Sequence, residues 1–340
     1  MRSMGYGGTI DAVIGKLSRF LHLRQTDNDT SHELGPYLDL SVEALLPDPG
    51  GSPLVHRARK LNPLDRFDTL SWRSAHVPRS AAYARRHQGE YAKNLTAWAR
   101  WLRPRSGRRR SILLHVHGWL EPGSWIEEGT LLPIFYRELG VDVAHIQLPF
   151  HGRRSPAGQL FHGEWFWTAD LVRSLEAVTQ AVTDVRSAMA YFRALGYQEV
   201  GVSGLSLGGC IAMLLACVEP APDYVVPMIA HLELAEAVEE APILWRMKKD
   251  LERFGIDRRE RKAIFDRIPF SHARPTLELD RQLWVAARED GYLKADLVEK
   301  QWHEWGEPPI HWIAGGHMTF PIALDSIVAK MRPLPRHAMR

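Results

Sequence analysis

From about residue 111 onward the chain alternates between two hydrophobic rhythms, and that alternation restricts its fold more than any other feature. "SILLHVHG" (111–118) is a short, continuous apolar run of the kind that forms a buried strand. "IEEGTLLPIFYRELG" (126–140) reads as one helix ended by Gly140, and "VDVAHIQLP" (141–149) as the next strand. The pattern repeats: a long helix over 169–196, a strand at "QEVGVSG" (198–204), a helix at "LGGCIAMLLACV" (207–218) and an irregular strand at "YVVPMIAHL" (224–232). After a charged helical stretch come a strand at "QLWVAARED", a helix over 294–306, a strand at "PIHWIAG" and a closing helix at "PIALDSIVAKM". Strands that alternate with helices specify an α/β chain, a mostly parallel doubly wound sheet with helices on both faces.

The first 65 residues are expected to be a partly helical extension. "TIDAVIGKLSRFLHL" spaces its apolar residues as an amphipathic helix. Its polar face is not heavily basic, which favours docking on the body over contact with a membrane surface. "LLPDPGGSPL" is a loop by its proline and glycine content. Residues 67–103 give two strand-like pieces around a mixed segment; "NLTAWARWLRP" reads as an early strand, with a helix over 81–102 as the alternative. Residues 66–335 are read as one domain, and 233–270, with apolar residues at helical spacing among many charges, as a cap inserted in it. That cap is expected to hold two or more helices over a pocket, with Leu244, Trp245 and Phe254 facing it.

"VSGLSLGGC" (202–210) lies where a strand hands over to a helix. Gly204 and Gly208 stand two residues either side of Ser206, the spacing of a nucleophile elbow, in which a Cβ at either position would collide across the tight turn. A phosphate loop would need a lysine after the glycines, and none follows. In an open α/β sheet, chemistry gathers at the carboxyl ends of the strands. Polar residues fall at those ends repeatedly: His117-Gly118-Trp119, then His151-Gly152, Ser206, Glu289-Asp290, and Gly316-His317. Serine, acid and histidine in that chain order form the set a hydroxyl nucleophile needs. A serine is a weak nucleophile until a base takes its proton, and imidazole can take and return it near neutral pH. The acid holds the imidazole in one tautomer. Asp290 is preferred for that role because Gly291 allows a tight bend; Glu289 points elsewhere, and Glu233 is the alternative. The backbone N–H groups of Leu207 and Trp119, with Gly118 allowing close approach, are placed by position for an oxyanion. His115 and His117 alternate on a strand but lack a carboxylate at metal-ligand spacing, so they read as structural.

These pieces resemble the α/β-hydrolase superfamily over roughly residues 65–335, on "HVHGW", "QLPFHGRRS", "GVSGLSLGG", "AREDGYL" and "AGGHMTF". "LPFHGRRS" looks like the family's Pro-x-His-Gly-x-Ser turn, and the whole is most similar to bacterial members with a short helical cap. The resemblance implies an α/β-hydrolase fold and a serine hydrolase of the esterase or lipase kind, acting through an acyl-serine without cofactor or metal. The same three residues serve thioesterases, amidases, peptidases and acyltransferases, and a non-catalytic binding protein could keep the fold.

Composition narrows the partners. A net charge of +3 spread over 340 residues does not suggest nucleic acid. Cys210 and Cys217, two helical turns apart, do not suggest a stapled secreted domain. Charges at Asp11, Lys16 and Arg19 interrupt the first apolar stretch, so no signal peptide is read and a cytoplasmic location is expected. Trp119 and Trp125 lie beside the expected oxyanion loop and Trp165 and Trp167 follow the His151 turn; Trp119 is expected to wall the pocket, and an aromatic, largely apolar pocket suits a small-molecule ester or acyl substrate.

Overall fold

The central strands are buried on both faces, and the fold follows from covering them. The computed structural model describes residues 5–21, 24–61, 66–121 and 125–336. Among these, strands β1 (His56–Leu61), β2 (Arg66–Arg73), β3 (Thr96–Arg103), β4 (Ser111–Val116), β5 (Asp142–Gln147), β6 (Glu199–Leu205), β7 (Tyr224–Met228), β8 (Trp284–Ala287) and β9 (Ile310–Ile313) form one sheet. Its order is β1-β2-β3-β5-β4-β6-β7-β8-β9. β1, β2 and β3 are antiparallel, and β3 is antiparallel to β5; from β5 to β9 every pairing is parallel. Every residue of β4 and β5 is buried, as expected of parallel strands covered on both faces.

The helices in chain order are α1 (Tyr6–Leu21), α2 (Val42–Leu45), α3 (Ala81–Gln88), α4 (Trp125–Gly129), α5 (Leu131–Glu138), α6 (Leu171–Ala194), α7 (Leu207–Leu215), α8 (Leu234–Glu240), α9 (Trp245–Arg253), α10 (Arg258–Asp266), α11 (Ala295–Glu304) and α12 (Leu324–Met331). The helix expected over 126–140 is two helices. Pro133 has no N–H to give an interior turn, and the chain restarts at Leu131 so that Pro133 falls in a first turn. α6 is fixed at both ends. The Asp170 carboxylate accepts from the Arg173 N–H at 3.0 Å. At the other end Gly196, at φ +88°, and Tyr197 donate to Arg193 and Phe192, closing a Schellman motif.

The sheet begins at His56, upstream of the boundary expected at residue 65, which itself lies outside the described residues. β1 was not visible in the sequence because "HRARKL" reads as solvated charge. It is an edge strand, and Arg57 on it pairs with the buried Asp68 of β2. Residues 24–55 strap along α6 and join the core through Leu34, Tyr37, Leu45 and Leu46. Tyr37 Oη donates to Glu176 at 2.5 Å and Arg186 donates to the Leu46 carbonyl at 2.7 Å. Glu176 also accepts from the Arg79 N–H at 2.7 Å and pairs with His76 at 2.7 Å. α1 follows the sequence expectation, although residues 22 and 23 of the expected helix lie outside the described residues. It packs on the short turn at Pro242–Leu244 and on the loops after β8 and β9. No helix among the described residues is long and apolar enough to cross a membrane.

Glu176→Ala strips this buried carboxylate from three partners at once. It is expected to cost about 3 kcal/mol, the scale of a broken buried pair, and to open the strap to proteolysis within residues 24–55. Urea unfolding with limited proteolysis checks both; unchanged cleavage would mean that the strap is held elsewhere.

Candidate active site

The turn between β6 and α7 is built by backbone contacts that exclude side chains. A Cβ on Gly204 would lie 2.0 Å from the Gly208 carbonyl oxygen, and one on Gly208 would lie 2.0 Å from that of Val116. Ser206 sits between them at φ 52°, ψ −111°, a strained setting for a residue with a Cβ. Its N–H donates to the Met228 carbonyl at 2.9 Å, which ties the turn to β7. The strain pushes the hydroxyl clear of the sheet and into a cavity of about 820 Å³.

His317 meets it there. Ser206 Oγ lies 3.0 Å from His317 Nε2, and His317 Nδ1 lies 2.8 Å from Asp290 Oδ2. The other oxygen of Asp290 accepts from the N–H groups of Tyr292 and Leu293 at 2.8 and 2.7 Å, so the carboxylate is aimed by its own turn. The Tyr292 ring stands edge-on to the imidazole, centroids 5.0 Å apart. Burial by itself would push the His317 pKa down. The charge and hydrogen bond of Asp290, with Asp11 adding to them, instead hold it above the ordinary histidine value.

The other sequence candidates separate cleanly. Glu233 bonds the Lys300 ammonium at 2.9 Å at the start of α8. Glu289 turns away from His317 and accepts from the Gly7 and Gly8 N–H groups at 2.9 and 3.3 Å, a carboxylate against the first turn of α1. Gly118 lies against the elbow: a Cβ there would be 3.8 Å from that of Ser206. Leu207 opens α7, so its N–H has no acceptor within the helix. Both residues and Trp119 line the cavity with Ser206. His117 accepts from the Leu148 N–H at 3.0 Å through Nε2, leaving Nδ1 to donate to the Gly118 carbonyl at 2.7 Å. Burial holds it well below the ordinary histidine pKa, so it is a neutral brace for the loop after β4. His115 bonds Ser203 Oγ at 2.9 Å, a different partner from those of His117. Among the described residues no group of three or more His, Cys, Asp or Glu side chains is placed to hold a metal ion. His151 is buried, bonds the Pro149 carbonyl at 2.7 Å, and is pushed down to about 3 by burial.

α8, α9 and α10 lie over the cavity, and Leu234, Val238, Leu244, Met247 and Phe265 face it. Trp245 and Phe254, expected beside Leu244, do not. α9 turns Met247 and Leu251 inward, one turn apart, and Trp245, two residues before Met247, falls on another side, where Arg246 covers its ring. Phe254 lies past the end of α9, under Arg253. Trp167 lines the cavity, whereas Trp165 lines a smaller polar recess beside it.

Asp11 was missed as a site residue. It is fully buried, and its carboxylate accepts from the N–H groups of Gly291, His317 and Met318 at 2.9, 2.6 and 2.9 Å. The signal was present in the glycines at 7 and 15, which with Asp11 form one face of α1. A Cβ on Gly7 would lie 2.2 Å from the Gly316 nitrogen, and one on Gly15 would lie 2.8 Å from Pro242.

The fold has counterparts among solved structures. The acetyl xylan esterase from Paenibacillus sp. R4 superposes with a TM-score of 0.63 at 13% identity, over 94% of this chain and 99% of that one. The chain has the α/β-hydrolase fold. Acetyl xylan esterase 1 from Thermoanaerobacterium sp. JW/SL YS485 superposes on this chain with a TM-score of 0.58, also at 13% identity, over 88% of this chain and 98% of that one. At such identities the likeness is one of fold. A family model described as "Alpha/beta hydrolase domain containing 18" matches residues 94–249, which include Ser206 and stop short of Asp290 and His317. The uncharacterized protein Rv2627c of Mycobacterium tuberculosis (strain ATCC 25618 / H37Rv) is 29% identical over 244 residues, or 65% of this chain. The match covers 55% of that relative, so the chain spans about half its length.

Gly208→Ala is expected to lose about 3 kcal/mol of stability, the upper range for overpacking, because backbone on both sides of the elbow must move. Denaturant unfolding checks it; a stable, fully folded Gly208→Ala protein would mean that the turn has more room than its contacts indicate.

Proposed function

We propose that this protein is a serine hydrolase that cleaves a carboxylic ester of an apolar acyl group through an acyl-serine intermediate. The observation that carries the reading is the continuous relay Ser206–His317–Asp290, with contacts of 3.0 and 2.8 Å, opening on an apolar cavity.

In this reading Ser206 Oγ attacks the acyl carbon while His317 Nε2 takes its proton, and Asp290 steadies the imidazolium that forms. The N–H groups of Leu207 and Trp119 receive the charge that develops on the carbonyl oxygen. His317 then gives its proton to the departing alkoxide. A water molecule, deprotonated by the same imidazole, attacks the acyl-serine, and His317 returns that proton to Ser206 Oγ as the carboxylic acid leaves.

The cavity favours the substrate class. Its wall is largely aliphatic, supplied by α1, the cap helices and the His317 loop, with Leu17 and Met318 at its solvent-exposed rim. A volume of about 820 Å³ is more than an acetyl group needs and suits a longer acyl chain.

Fluorophosphonate labelling is the direct test. Wild-type protein is expected to label at Ser206 and Ser206→Ala not at all; an unlabelled wild type would favour a ligand-binding role instead. Asp290→Asn should lower kcat by about 10⁴-fold, because an amide supports the wrong tautomer, whereas Glu233→Gln should cost far less. Because His317 is held above the ordinary histidine pKa, it stays protonated and unable to accept the serine proton to a higher pH than a free histidine. kcat/KM should therefore climb with pH through an apparent pKa above about 6.5. Leu244→Trp, which fills the cap side of the cavity, should shorten the preferred chain across p-nitrophenyl acetate to laurate. An unchanged chain-length profile would remove Leu244 from the acyl site.

A further inference from the structure

The carboxylate of Asp11 is the least expected feature of the site. A buried carboxylate is costly unless its oxygens are satisfied. Here they are satisfied by three backbone N–H groups of the two loops that carry Asp290 and His317. Gly291 follows Asp290 directly, and the His317 and Met318 N–H groups belong to the base and its neighbour. One side chain therefore grips the acid loop and the base loop together from an element remote in sequence. The fit is close: a Cβ on Gly316 would lie 2.4 Å from Asp11 Oδ2, and one on Gly291 would lie 2.9 Å from Asp11 Cβ.

We infer that Asp11 is a positioning residue of the hydrolase: it fixes the distance between Asp290 and His317, and its negative charge helps stabilise the imidazolium formed during each turnover. The inference rests on the serine hydrolase reading given above. It makes α1 part of the active site, and it gives the base two carboxylates, one bonded to its ring and one bonded to its backbone.

Two roles must be told apart. A residue that only docked α1 would change how much protein folds. A positioning residue changes what each folded site does. The groups that face His317 are Asp290 from the loop after β8, Asp11 from α1, the Tyr292 ring, Ser206, and His231 from the loop after β7. Burial pushes His231 down to about 4, so it is neutral across the range in which His317 titrates. Asp11 and Asp290 are then the charges that set the acidic limb of the pH profile.

The experiment measures kcat, KM and the acidic limb with p-nitrophenyl butyrate, each normalised to sites titrated by a fluorophosphonate, so that unfolded protein does not count. In Asp11→Asn the amide must oppose at least one of the three N–H donors, and the charge is lost. kcat per titrated site is expected to fall about 100-fold, the scale of a small misplacement of reacting groups, with KM little changed and the acidic limb moved to lower pH. Gly7→Ala is a second variant that keeps Asp11: its Cβ falls 2.2 Å from the Gly316 nitrogen, which drives α1 off the loop without weakening the helix, and the same changes should follow in smaller measure. Glu289→Gln, which loosens only the first turn of α1, should leave the limb in place. Normal kcat per site and an unmoved limb in Asp11→Asn would overturn the inference while the hydrolase reading stands. So would an equal shift in Glu289→Gln. A wild type that neither labels nor turns over would overturn the hydrolase reading itself, and this inference with it.

Discussion

The contact between Ser206 and His317 joins loops from opposite ends of a four-strand run, β6 to β9, and each loop is held by a different device. The elbow hangs on β7 through the bond from the Ser206 N–H to Met228. Met228 is in turn in register with Leu205 on one side and Val285 on the other. The acid turn is closed on itself by Asp290 Oδ1. The base loop is closed by Thr319, which accepts from the Gly316 N–H at 2.8 Å. Parallel strands fix the distance between their ends to within their register, and these local closures remove the freedom that remains. A hydrogen bond at 3.0 Å between side chains 111 positions apart is the sum of these constraints.

Two carboxylates flank one imidazole, and backbone N–H groups satisfy both: two on Asp290 and three on Asp11. Such donors are dipoles fixed by the fold. They hold the negative charges in place without neutralising them, so the field at His317 is fixed by the fold itself.

The sheet and the site were legible in the sequence to different depths. Strand and helix rhythms from β4 onward could be read because buried parallel strands are continuous apolar runs, and the strand ends then gave Ser206, Asp290 and His317 as candidates. Gly204 and Gly208 were legible because their reason is local: two residues either side of a turn. β1 was hidden by its basic edge, and the break between α4 and α5 by a proline that suits a first turn as well as it breaks an interior one. Trp245 and Phe254 were misplaced because side-chain size gives no helix phase; only the start of α9 does. Asp11 is the deepest case. On an amphipathic helix an acid reads as part of the wet face, and only the glycines one turn either side of it hint that this face is pressed against backbone.

That dependence has a consequence for the order in which the molecule becomes competent. Asp11 leaves the ribosome 280 and 306 residues ahead of Gly291 and His317. Contacts so distant in sequence form late, since the entropy of closing the loop opposes them until the intervening sheet has drawn the ends together. The elbow is local and can form with β6 and α7. Its serine therefore waits, strained but without its base, through the synthesis of more than 100 further residues, a span given by the 111 positions between Ser206 and His317. On the proposed reading, a nascent chain would carry an idle nucleophile, and reactivity would arrive only when α1 and the loop after β9 close on each other.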